Sequence, residues 1–111
     1  MTNRARLPNR RRSETFGIPH PGDLSFKPVR YDVAVSRDEA GAPREVFVSC
    51  SKLTTAQDIA GRDIAILISI ALQYGAPASE LADAMTRGDQ GEPQGIAGAV
   101  LDAMLGKVEH Q

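Results

Sequence analysis

Ile64-Ala65-Ile66-Leu67-Ile68-Ser69-Ile70-Ala71-Leu72-Gln73-Tyr74-Gly75-Ala76-Pro77 is the stretch that decides the fold. Only Ser69 interrupts the apolar run from Ile64 to Leu72, so the segment reads as a helix whose every face must be covered. Gly75 is placed to take the left-handed conformation that ends a helix, and Pro77 cannot continue one. The run spans nine residues, about half of the ~18 needed to cross a bilayer, which excludes a membrane span on length.

Working outward, Thr54 or Thr55 is suited to cap the start of this helix, and Asp58 sits near the positive end of its dipole. Before it the period changes from helical to alternating. Tyr31, Val33 and Val35 alternate with Asp32, Ala34 and Ser36, and Val46, Val48 and Cys50 repeat the pattern, as half-buried strands do. Arg37 to Pro43, with Gly41, joins the two as a hairpin with a longer loop. Ser13 to Ile18 adds a third strand with Phe16 and Ile18 on one side, ended by a turn at Pro19-His20-Pro21-Gly22.

After Pro77, Ser79 is the expected N-cap of a short helix from Glu80 to Met85, and Arg87 to Gly95 forms a glycine-rich loop. The last helix runs from Ile96 to Val108, with Ala97, Val100, Leu101, Met104, Leu105 and Val108 on one stripe and Asp102 and Lys107 toward solvent. Strands precede helices in blocks, so the class is α+β: an N-terminal antiparallel sheet of about three strands packed by a buried long helix and two shorter C-terminal helices. The expected organisation is a basic arm over residues 1–12, a single domain over 13–108 and a tail over 109–111.

Charge is unevenly spread. Arg4, Arg6, Arg10, Arg11 and Arg12 give the arm +5 with no acid, while the remaining eight bases and fourteen acids give the body −6. Such an arm can bind phosphates through bidentate hydrogen bonds, fold back onto the acidic body of its own chain or of a partner, or remain a solvated tail. The single cysteine excludes an internal disulfide framework and suits a reducing cytoplasm, and no apolar segment follows the N-terminal arginines as a secretion signal or anchor requires.

Several words in this order resemble the TSCPD domain family: Leu7-Pro8-Asn9-Arg10-Arg11, Arg44-Glu45-Val46-Phe47-Val48, Ile68-Ser69 with Leu72-Gln73-Tyr74-Gly75-Ala76-Pro77, and Glu92-Pro93 with Gly95. The resemblance covers nearly the whole chain and rests on architectural words, so it implies a shared fold before a shared activity. The family is best known as a C-terminal module of adenosylcobalamin-dependent ribonucleotide reductases and also occurs as small separate proteins. The Thr-Ser-Cys-Pro-Asp motif behind its name is missing here, so no metal or redox role carries over to Cys50. The resemblance also implies that such reductases need a large barrel, a thiyl-forming cysteine and a redox cysteine pair, which a chain with one cysteine does not supply.

Individual residues favour plain readings. Cys50 is in register with Val46 and Val48 and reads as a small core residue, and with His20 and His110 it has no metal-ligand spacing. Gly88, Gly91, Gly95 and Gly98 lack the Lys-Ser or Lys-Thr of a phosphate loop and read as loop flexibility and close helix packing. Ser69 has no nucleophile elbow, and its hydroxyl is expected on the carbonyl four residues back. Asp58, Asp63 and Glu80 read as solvated helix acids.

No catalytic residue and no metal site is expected. Arg10, Arg11 and Arg12, with Gln73 and Tyr74, are the candidate phosphate- or partner-binding residues, although a hydrogen bond closing the helix end fits Gln73 and Tyr74 equally well. The first functional reading is an accessory or regulatory module of ribonucleotide reductase that binds a reductase or a nucleotide, with no cofactor of its own and adenosylcobalamin only in the reductase partner. The alternative is a small nucleic-acid- or nucleotide-phosphate-binding protein using the arginine arm, against which stand the acidic body and the few aromatic residues for base stacking. A homodimer is a further expected partnership, because the apolar helix needs more cover than a domain this small provides.

Overall fold

The computed structural model describes residues 12–19, 21, 30–50 and 56–106, with only the backbone of Arg12. Strands β1 (Arg12–Pro19), β2 (Arg30–Arg37) and β3 (Pro43–Cys50) form an antiparallel sheet in the order β1-β2-β3. Helices α1 (Ala56–Gln73), α2 (Ala78–Ala84) and α3 (Ile96–Met104) follow, so the class is α+β. The register pairs Val33 with Val48 and Phe16, and Val35 with Val46, which puts the alternating apolar residues on one face. Ile18, Tyr31, Val33, Val35, Val46, Val48 and Cys50 are all buried there. Burial pushes the Tyr31 phenol above its ordinary pKa, and the neighbouring Cys50 acts in the same direction.

The β2–β3 hairpin closes on Asp38. Its Oδ1 accepts from the backbone N–H groups of Ala40 and Ala42 at 2.9 and 3.0 Å, and its Oδ2 accepts from Arg44 Nε at 2.9 Å. The Arg44 bond, reinforced by the Ala42 amide, holds the Asp38 carboxyl below its usual range.

Of the three helices, α3 is the one covered on nearly every side: eight of its nine residues are buried, including Asp102. The expectation that Asp102 faces solvent is therefore corrected. The helix is short because Leu105 caps it and Gly106 turns the chain at φ +73°. In α2, Pro77 occupies the N-cap position and Ser79 lies inside the helix, because Pro77 O already accepts the first helical bond, from Leu81 N.

The long helix α1 departs most from expectation. It lies along the outer edge of β3, and Ile59, Ile66 and Leu67 remain 57, 56 and 68% exposed, so its faces are not all covered within the chain. The reason lies in the strand. As an edge strand, β3 carries N–H and C=O groups with no strand to pair them. Three buried side chains of α1 meet that edge: Asp58 Oδ1 accepts from Cys50 N at 2.9 Å, Ser69 Oγ accepts from Val46 N at 2.9 Å and donates to Val46 O at 3.0 Å, and Gln73 Nε2 donates to Arg44 O at 3.0 Å. Asp58 is thus buried rather than solvated, and Ser69 bonds the strand rather than its own helix.

The match is metric. From Asp58 to Gln73 the helix axis rises about 22 Å, and from Cys50 back to Arg44 the strand runs about 20 Å. Gly61 lets the helix sit this close, since a Cβ there would lie 3.2 Å from Val48 Cγ1 and 3.4 Å from Tyr31 Cε1. The helix then ends in a Schellman motif, with Ala76 N on Ala71 O and Gly75 N on Leu72 O, and Gly75 at φ +100°. Thr54 and Thr55, His20, Lys107, Val108 and His110 lie outside the described residues.

Ser69→Ala leaves two buried backbone groups of Val46 without this partner and is expected to destabilise the fold by about 2 kcal/mol. Ser79→Ala, at an exposed helical position, is expected to stay within about 0.5 kcal/mol in the same chemical denaturation series. For Asp38 the folded pKa lies below the unfolded one. Its contribution to stability is therefore present above the unfolded value of ~3.9 and lost as pH falls through the folded value. A carboxyl titration followed by NMR is expected to show Asp38 with a midpoint below that value, and Arg44→Ala is expected to raise it.

Candidate functional site

Three arginines from outside the helices organise the ends of all three. None of the helices has a basic residue in its last turn, yet each receives a guanidinium on a carbonyl near its C-terminus. Arg44 Nη1 donates to Leu72 O of α1 at 2.9 Å, Arg87 Nη2 to Ala82 O of α2 at 2.7 Å, and Arg37 Nη2 to Met104 O of α3 at 3.2 Å. Positive charge there complements the helix dipole. Each arginine is also held by a carboxylate: Asp38 for Arg44, Asp102 for Arg87 and Glu14 for Arg37.

The Arg87–Asp102 pair is the most buried of the three, with side chains 23 and 11% exposed. It is bidentate, with Nη1 to Oδ2 at 2.6 Å and Nη2 to Oδ1 at 2.8 Å, and Nη1 also reaches Gly91 O at 3.2 Å. The carboxylate bonds hold Arg87 above even its ordinary high pKa, so it stays charged at any working pH. The glycine-rich segment after Arg87 is a hydrogen-bonded hairpin: Gly88 N bonds Glu92 O, Gln94 N bonds Thr86 O, and Gln90 N bonds the Glu92 carboxylate. The close packing expected of the glycines in this region is present at Gly98 of α3, where a Cβ would lie 3.0 Å from Pro93 Cβ. Arg87 escaped the sequence reading. An Arg fifteen residues from an Asp has no local signature, and only the fold brings them together.

The sequence-predicted binding residues are not gathered in one place. Gln73 is buried, with its amide on Arg44 O, whereas Tyr74 is 47% exposed. Arg12 opens β1, paired through the backbone with Arg37, while Arg10, Arg11 and the Arg12 side chain lie outside the described residues. Cys50 is buried in the core, 3% exposed, as its register with Val46 and Val48 indicates. Among the described residues no three His, Cys, Asp or Glu side chains come together as a metal site would need.

An open groove of roughly 690 Å³ lies between α1 and the sheet face opposite the core. Thr15, Asp32, Ala34 and Phe47 line it from the strands, and Arg62 and Ile66 from the helix. It offers an apolar floor with charges at its margin.

The family model of the TSCPD domain matches residues 10–108. The chain belongs to the TSCPD domain family. Searches of curated proteins and of solved structures each returned no match. The TSCPD domain is known from ribonucleotide reductases, and the match spans Arg10, Arg11 and Arg12 as well as every described element. Within this TSCPD domain, residues of the family-like words Arg44 to Val48 and Ile68 to Pro77 meet at the β3–α1 edge, through Arg44, Val46, Ser69 and Gln73. Among the described residues no helix is long and apolar enough to cross a membrane.

Arg87→Ala removes the partner of a nearly buried carboxylate and is expected to cost about 3 kcal/mol of stability. In a double-mutant cycle by chemical denaturation, Arg87→Ala with Asp102→Ala is expected to be less destabilising than the sum of the single changes by at least about 1 kcal/mol.

Proposed function

We propose that this chain is an accessory or regulatory module associated with ribonucleotide reductase, without complete catalytic machinery of its own. The observation that carries this reading is the family match over nearly the whole chain, for a domain known from these reductases. The chemistry agrees. The one cysteine is a core residue, so radical and redox thiols belong to the partner, as does adenosylcobalamin. What the chain contributes is contact: Arg10, Arg11 and Arg12 supply guanidinium forks for phosphate or carboxylate groups of a nucleotide or partner, and Tyr74 presents an exposed aromatic at the end of α1.

A second reading, phosphate-directed nucleic-acid binding, is favoured by the +5 charge of residues 1–12. The two readings part in one set of measurements. Added to a ribonucleotide reductase from the same cell, the chain is expected to co-purify with it and change its rate. Removing residues 1–11, which stops short of β1, is expected to weaken that association roughly tenfold and flatten its salt dependence. No association and no change in rate would sink the reductase reading. Salt-sensitive binding to DNA that disappears with the same truncation would replace it with the second.

A further inference from the structure

We infer that α1 is the interface of a two-fold homodimer, in which the α1 helices of two copies pack antiparallel about an axis between Ile66 and Leu67. This inference draws on the exposed helix face alone and not on the reductase reading, with which it shares only Tyr74. Along the outward side of α1, Ile59, Ile66, Leu67 and Tyr74 are 57, 56, 68 and 47% exposed, with half-buried Ile70 between them. Spacings of seven, four and four from Ile59 through Ile66 and Ile70 to Tyr74 keep these residues on one stripe. Phe47, 58% exposed, lines the same groove as Ile66 and carries the patch from the helix onto the sheet.

The five large exposed side chains leave on the order of 600 Å² of surface uncovered, at the upper end of what a monomer exposes in one patch. Two such patches meeting would remove on the order of 1,200 Å² in total, which reaches the size of a specific interface.

The occupant follows from the order of residues on the stripe. A two-fold contact needs a patch that complements itself. About the midpoint of Ile66 and Leu67, Ile59 and Tyr74 are equidistant, and so are Asp63 and Ile70. In antiparallel packing, Ile59 therefore meets Tyr74 of the second copy, Ile66 meets its Leu67, and Asp63 faces its Ile70. Asp63 also sets the direction. Parallel helices in register would place the two Asp63 carboxylates opposite each other, whereas the antiparallel arrangement separates them by about 10 Å along the axis. Arg62 and Asp58, on the flank toward β3, are already paired within the chain at 3.0 Å.

Light scattering after size exclusion on the full chain at about 100 µM is expected to give twice the chain mass. Leu67→Glu is expected to reduce it to the single mass with an unchanged far-UV circular dichroism spectrum. Ile59→Cys mixed with Tyr74→Cys is expected to form an oxidised cross-linked pair in several-fold excess over either variant alone, with buried Cys50 taking no part. A monomer at that concentration overturns the inference, including one that assembles only with a different protein. A dimer that Leu67→Glu leaves intact overturns it as well. Should Leu67→Glu disturb the fold, the cysteine pairing decides: no excess of the mixed pair overturns the antiparallel register.

Discussion

The outer edge of β3 is the constraint on which the rest of the molecule depends. A three-stranded meander has two edges, and in a domain this small the one beside the core cannot stay unpaired without leaving buried amides and carbonyls unsatisfied. Here a helix takes the place of a fourth strand. Asp58, Ser69 and Gln73 deliver an acceptor, a hydroxyl that is both donor and acceptor, and a donor to Cys50, Val46 and Arg44. The substitution works because fifteen residues of helix and six of strand are nearly equal in length. Gly61 removes the Cβ that would hold the two apart.

Fixing α1 at the edge decides its exposed face. Its polar line and the adjacent Ala65, Ile68 and Leu72 are consumed by the sheet and core, which leaves Ile59, Ile66 and Leu67 facing outward. The short helix α3, with Ala and Gly among its residues, is buried almost completely. Arg37, Arg44 and Arg87 then tie this arrangement together, each joining a carboxylate to a helix end. The helices lack basic residues in their own last turns, and the tertiary structure supplies them.

On the proposed reading, the fold is a presenting scaffold. Polar residues that look available in the sequence, Ser69 and Gln73 above all, are spent on holding the helix to the strand. Among the described residues, the exposed apolar surface is a helix face and a shallow groove. That distribution fits a module acting by contact within a larger assembly, in keeping with a domain known from ribonucleotide reductases.

The sequence by itself determined the three strands, their inward faces, the extent of α1 and its stop at Gly75. Each of these is set by local periodicity or by a backbone conformation that one residue type favours. It also carried the family words, because they are concentrated in those same elements. Which helix is central was decided by the tertiary structure: an all-apolar run records that burial is favourable but not whether the covering surface belongs to the same chain, and α1 is covered on only part of its circumference. The roles of Asp58, Ser69, Arg87 and Asp102 were decided there too. A hydrogen bond or ion pair between residues eight to twenty-three positions apart leaves no period in the sequence. The partner exists only once strand, helix and loop have been brought to the same edge.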